Sequence, residues 1–182
     1  MHICRVVFAL PVLIGMSALE AQTPAPKAAP AKPAAAPAAQ AANLRQVMRG
    51  TFFPASNVIF FAQSSDPAAV PPGKDPSTAT DPLANTYGKW EAVENASLAI
   101  AESARLLTVP GRKCANGLDV PLKNADWAKL VQGIREAGMA CYRAAQTKDM
   151  DKILDAAGTL SEACAACHEK YRDKGGLADR CK

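Results

Sequence analysis

A chain of 182 residues is long enough for one ordinary domain with tails. Its formal net charge is +4, and the residues before Asn43 contribute only Arg5, Lys27, Lys32 and Glu20 to it, so 43–182 lacks the basic footprint that nucleic acid requires. Six cysteines in a protein of this size suit an oxidising compartment.

Met1–Arg5 is a short basic start, and Val6–Leu19 is apolar apart from Ser17. The run is too short for the ~20 residues that span a bilayer, and Pro11 interrupts it. Small residues follow at Ser17, Ala18 and Ala21, so 1–21 reads as a secretory signal peptide that leaves an exported, periplasmic chain without an integral membrane span. Cys4 lies before the apolar run and goes with the signal. Residues 22–42 are Ala/Pro-rich; their prolines remove amide donors and block helical turns, which predicts an extended, semi-rigid linker.

From Asn43 to Lys182 the pattern is helical, with no convincing strand. The first predicted helix runs from about Asn43 to Gln63, with Leu44, Val47, Met48, Thr51, Ala55, Val58, Ile59 and Ala62 on one face and a kink or break at Pro54. Residues 64–82 are rich in Pro, Ser, Asp and Gly and read as a long loop. Asp81-Pro82 gives an N-cap acceptor followed by proline at the first helical position. A second helix is expected from there to about Thr108, with Tyr87, Trp90, Val93, Ser97, Ile100, Ala104 and Leu107 inward, stopped by Pro110-Gly111. Residues 109–123 form a second loop. The third helix is capped by Asn124 or Asp126 and presents Trp127, Leu130, Val131, Ile134, Gly138, Cys141 and Ala145. Asp149 opens the fourth, whose inward positions are Met150, Ile153, Ala157, Leu160, Cys164, Cys167 and Tyr171, with Gly175-Gly176 ending it. Four such stripes predict an all-α, antiparallel four-helix bundle.

The fourth helix carries Cys164-Ala165-Ala166-Cys167-His168, the c-type haem attachment sequence. On a helix, Cys164 and Cys167 lie about one turn apart on one face, so both sulfurs reach the two vinyl groups of one porphyrin. His168 follows as the proximal iron ligand. A zinc site would need a second ligand pair, and the only other histidine is His2. A thioredoxin-type dithiol belongs in a βαβ pattern that this sequence lacks. One covalent haem c on the C-terminal helix is therefore expected.

With those residues in place, the chain resembles the cytochrome c-prime family, the class II c-type cytochromes, over roughly 43–174. The resemblance is strongest at Cys164-Ala-Ala-Cys167-His168-Glu-Lys-Tyr171-Arg172. It implies a periplasmic antiparallel bundle with Cys164 and Cys167 as thioether anchors and His168 as proximal ligand. Arg172, four residues on, shares that helix face and is a candidate for a haem propionate. Leu44-Arg45-Gln46-Val47-Met48-Arg49 is similar to the family's distal segment, which places Met48 near the sixth iron position and Arg45 among the cofactor contacts. Met139 and Met150 match that position less well. Many members leave the distal face vacant, and a low-spin subset supplies Met there. Pro54, the loops 64–82 and 109–123 and the extra cysteines depart from the family pattern.

One-electron transfer to a redox partner protein is the leading expectation, because a haem in a bundle can cycle its iron without a substrate. A five-coordinate haem that binds NO or CO is the alternative. An enzyme is not expected, since the distal candidates Met48, Phe52 and Phe53 offer no acid–base group. The resemblance also allows a homodimer through the first two helices. Of the remaining cysteines, Cys114 and Cys141 are expected to pair, with Cys181 as the competitor.

Overall fold

The computed structural model describes residues 40–173 and Cys181. All of them belong to one compact unit, 36–182. The expected signal peptide, nearly all of the linker and the Gly175-Gly176 helix stop lie outside the described residues. Among those residues the chain is helical, and its one β feature is an isolated bridge between Lys113 and Asp119.

The first helix is built in three pieces: α1 (Leu44–Val47), a π-helical turn (Met48–Phe52) and α2 (Phe53–Phe61). Its start is a capping box, with the Gln46 amide donating to Asn43 Oδ1 and the Asn43 amide to Gln46 Oε1, each at 2.9 Å. Pro54 does not break the helix. A proline ring clashes with the carbonyl four residues back, and the wider π turn relieves this by letting the Phe53 amide reach the Met48 carbonyl, five residues back. The extra residue in that turn shifts the buried face. Phe52 is buried and Thr51 only half-buried, whereas Leu44, Val47, Ala55, Ile59 and Ala62 are buried as expected.

The second helix starts later than Asp81-Pro82 predicts. α3 covers Lys89–Ser103, continued by a 3-10 turn over Ala104–Thr108. Asp81 Oδ1 accepts the Leu83 amide at 2.9 Å and so makes an Asx turn instead of an N-cap. The backbone around it is spent on the preceding loop, with Gly73 N–H donating to Ala84 O and Thr86 N–H to Pro76 O. Tyr87, expected inward, lies outside the helix and is 65% exposed. From Trp90 onward the expected face is buried: Trp90, Val93, Ser97, Ile100, Ala104 and Leu107.

α4 (Ala125–Thr147) begins after Asn124 and buries Trp127, Val131, Ile134, Gly138, Cys141 and Ala145, with Leu130 half-buried. Lys148 adopts a left-handed conformation that turns the chain sharply. Asp149 then caps α5 (Met150–His168), accepting the Asp151 and Lys152 amides. Ile153, Ala157 and Leu160 are fully buried on α5. Leu107 and Trp127 meet through the indole N–H, which donates to the Leu107 carbonyl at 3.0 Å, so the end of the second helix lies beside the start of α4. Leu44 N–H donates to Lys113 O, which likewise brings the start of α1 beside the loop that follows the second helix. Neighbouring helices therefore run antiparallel in an all-α four-helix bundle.

Gly138 sets the spacing of α3 and α4. A Cβ there would lie 2.9 Å from the Ala101 amide nitrogen and 3.1 Å from Ile100 Cγ2. Gly138→Ala is expected to lower stability by about 1–2 kcal/mol, because overpacking outweighs the gain in helix propensity. Gly158 in α5 has open space around it, so Gly158→Ala should instead stabilise by roughly 0.5–1 kcal/mol. Urea unfolding of both variants checks the contrast, and equal signs would show that the α3–α4 spacing is not limiting.

The expected Cys114–Cys141 disulfide is corrected. Cys114 pairs with Cys181, at a Cα–Cα distance of 5.0 Å, and Cys141 is a fully buried free thiol. Cys141 faces inward from the middle of α4, whereas Cys114 sits in a loop at the bundle end, where the C-terminal tail also arrives.

Candidate functional site

Cys164, Cys167 and His168 occupy the last turn and a half of α5. Cys167 is buried, while Cys164 and His168 are half-buried at the margin of the core face. After His168 the helix widens into a π-helical turn, Glu169–Asp173. The residues around that turn hold it against α4. The Tyr171 hydroxyl donates to Asp126 Oδ1 at 2.9 Å and accepts from Asn124 Nδ2 at 3.3 Å. The Tyr171 ring meets Trp127 edge-on with centroids 4.9 Å apart. Lys170 Nζ lies 2.5 Å from Asp126 Oδ2. Lys170, followed by the Tyr171 hydroxyl, holds the Asp126 carboxyl below the usual carboxylate range. Tyr171 was legible as a core position, but its partners were not, because they start α4, more than forty residues earlier in the chain.

The thiols are in an apolar setting. Burial, with smaller contributions from Cys164 and Asp126, pushes the Cys167 thiol up to about 11, and burial raises Cys164. Cys141 is pushed up to about 12, mainly by burial and further by the neighbouring Cys164. His168 is lowered from the ordinary histidine value, first by burial and then by the Arg172 charge, against a smaller opposing pull from Asp173. Among the described residues no three His, Cys, Asp or Glu side chains gather as a metal site.

Met48 lies at the same end of the bundle as this cluster. The loop carrying Lys113 and Cys114 holds the start of α1 through Leu44. The same loop is joined by its disulfide to Cys181, whose amide donates to the Tyr171 carbonyl at 3.1 Å. One turn past Leu44, Met48 is half-buried and packs against the core. α5 lies along α4 but meets the first helix chiefly through α2. α5 therefore packs against the first helix less extensively than against α4. Two thiols one turn apart with a histidine beside them on α5 fit a covalently held haem.

The two arginines expected at the cofactor are both at the surface. Arg45 is exposed. Arg172 is exposed and pairs through Nε and Nη2 with both Asp173 carboxylate oxygens, at 2.7 and 2.9 Å. The arginine that is buried at this end of the bundle is Arg112, in the loop 109–123. No periodic signal marks it in the sequence, because it follows Pro110-Gly111 in irregular backbone.

Residues 119–172 match the family model described as Cytochrome C'. The match covers α4, α5 and most of the π turn after His168, and it supports the cytochrome c-prime family for this chain. Comparisons with curated proteins and with solved structures found no match. What that match supports is a c-type haem protein. No helix among the described residues is long and apolar enough to cross a membrane.

Proposed function

We propose that this is an exported, periplasmic one-electron carrier that holds one haem c on Cys164 and Cys167, with His168 and Met48 as its axial ligands. What supports the reading is the placement of Cys164, Cys167 and His168 on the last turns of α5, with Met48 half-buried at the same end of the bundle. When bound, the haem supplies the Fe(III)/Fe(II) couple. Cys164 and Cys167 would hold it covalently on α5. His168, lowered by burial, stays neutral at pH 7 and so presents a free ring nitrogen for ligation. Tyr171 and Trp127 lock the turn that follows.

Enzymatic action is not part of this reading. A catalytic dithiol needs a lowered thiol pKa, and burial raises both Cys164 and Cys167. The redox partner is a separate protein, and a homodimer through the first two helices is compatible with the exposed Phe53 and Phe61 of α2.

Protein matured in a host that attaches haem c should gain the mass of one haem and keep it through denaturation and acid–acetone extraction. Cys164→Ala with Cys167→Ala should lose all covalent haem, whereas Cys141→Ala should retain it. Recovery of all the haem from wild-type protein in the organic layer would overturn the reading.

A further inference from the structure

Arg112 is 5% exposed, the one buried residue among the described ones that carries a full charge. Its Nε donates to the Leu106 carbonyl at 3.0 Å, and its Nη1 donates to the Ala42 carbonyl. Leu106 belongs to the last turn of the second helix, whose carbonyl end carries partial negative charge. Among the described residues no third hydrogen bond is made by Nη2, which is not one of the buried orphaned atoms and so stays open to a ligand, and no carboxylate pairs with the guanidinium. A buried guanidinium without an anion is costly, because carbonyl dipoles return only part of its lost hydration. An arginine with a free donor in a fixed fork suits a carboxylate or phosphate.

Its location narrows the anion. Ala42 immediately precedes the capping box that starts the helix bearing Met48. Cys114, two residues after Arg112, is joined to Cys181, which is bonded to Tyr171 one turn beyond His168. Arg112 therefore stands at the end of the bundle where the start of the first helix and the turn after His168 come together. Resting on the haem reading above, we propose that Arg112 is a cofactor-positioning residue, and that its unpaired charge receives a propionate carboxylate of the haem. Arg45 and Arg172 are exposed, and Arg172 is already engaged by Asp173. The bonds to Ala42 and Leu106 then have a second use: they hold the guanidinium in place before the cofactor arrives.

The test compares holoprotein of the wild type, Arg112→Gln, Arg112→Lys and Arg105→Gln. Arg105 is an exposed cation on the neighbouring helix end and controls for long-range charge. Removing the cation leaves the propionate uncompensated, which favours ferric iron. Arg112→Gln should lower the ferrous-to-ferric ratio about tenfold at a fixed solution potential, a shift of ~59 mV for one electron. Arg112→Lys should recover at least half of the shift, and Arg105→Gln should not move. The propionate bending band in the resonance Raman spectrum should change in Arg112→Gln and in Arg112→Lys, so Arg112→Lys alone decides if Arg112→Gln does not accumulate. A purely structural arginine would lower the melting temperature while leaving the potential and that band as in the wild type, and this result would overturn the proposal. Wild-type protein without covalent haem would instead overturn the reading on which it rests.

Discussion

Replacing Cys114 and Cys181 together by alanine is expected to cost this domain about 4 kcal/mol. The bridge spans 67 residues, and the chain-entropy model gives roughly that value for closing such a loop in the unfolded state. The bridged region also holds native contacts. Cys114 is 2% exposed, so its truncation adds a small cavity. The neighbouring Lys113 carbonyl accepts the Leu44 amide, and the Cys181 amide donates to Tyr171. A loss of this size is a large share of the ~5–15 kcal/mol typical of a domain and should lower the melting temperature by roughly 12–20 °C. Thermal and urea unfolding of the double variant check the magnitude, with Cys141→Ala as the variant that leaves the bridge intact. Non-reducing peptide mapping checks the pairing. A Cys114–Cys141 peptide, or a double variant within about 1 kcal/mol of wild type, would defeat the assignment.

Met48→Ala is expected to convert the ferric protein from low-spin to high-spin and to open the reduced protein to CO. The wild type should show the weak far-red band of thioether ligation, and the variant should lose it. A thioether is a soft ligand for haem iron and raises its potential, which suits electron transfer. The structure adds a local reason for Met48. It begins the π-helical turn, a feature found frequently at functional sites. The wide turn, imposed by Pro54, rotates the later helix so that Phe52 becomes the buried residue. Met48 stays at the edge of the core, half-buried. Met48→Leu separates ligation from packing, since it keeps the volume and removes the sulfur. It should behave spectroscopically like Met48→Ala while unfolding close to wild type. A wild-type spectrum that is already high-spin, or a leucine variant with an unchanged far-red band, would move the reading to a five-coordinate protein that binds NO or CO.

Much of the bundle was legible locally. On α4 and α5 the steps of three and four residues from Trp127 to Ala145 and from Ile153 to Cys167 match the buried faces closely, because both helices are regular and an uninterrupted α-helix repeats its face every 3.6 residues. Asp149 was readable as a cap because its carboxylate needs only the amides of the next turn. The first helix was less legible past Val47. Pro54 signalled a disturbance, but whether it kinks the helix or widens it into a π turn depends on what the later half packs against. Asp81-Pro82 carried a valid helix-start signal that the loop overrode by claiming the same backbone groups.

The sequence by itself determined the four apolar stripes, the placement of Cys164, Cys167 and His168 on one turn of the last helix, and so the expected covalent cofactor. Each of these needs only the helical repeat and the order of neighbouring residues. Tertiary structure alone decided the partner of Cys114, the burial of Arg112 and the anchoring of Tyr171 on Asp126. Those contacts join groups far apart in the chain and exist only once antiparallel packing brings the start of the first helix, the 109–123 loop, the start of α4 and the end of α5 to one end of the bundle. Spacing along the chain cannot choose among three cysteines that differ mainly in the direction they face. The fold chooses by turning Cys141 into the core and leaving Cys114 beside the arriving tail.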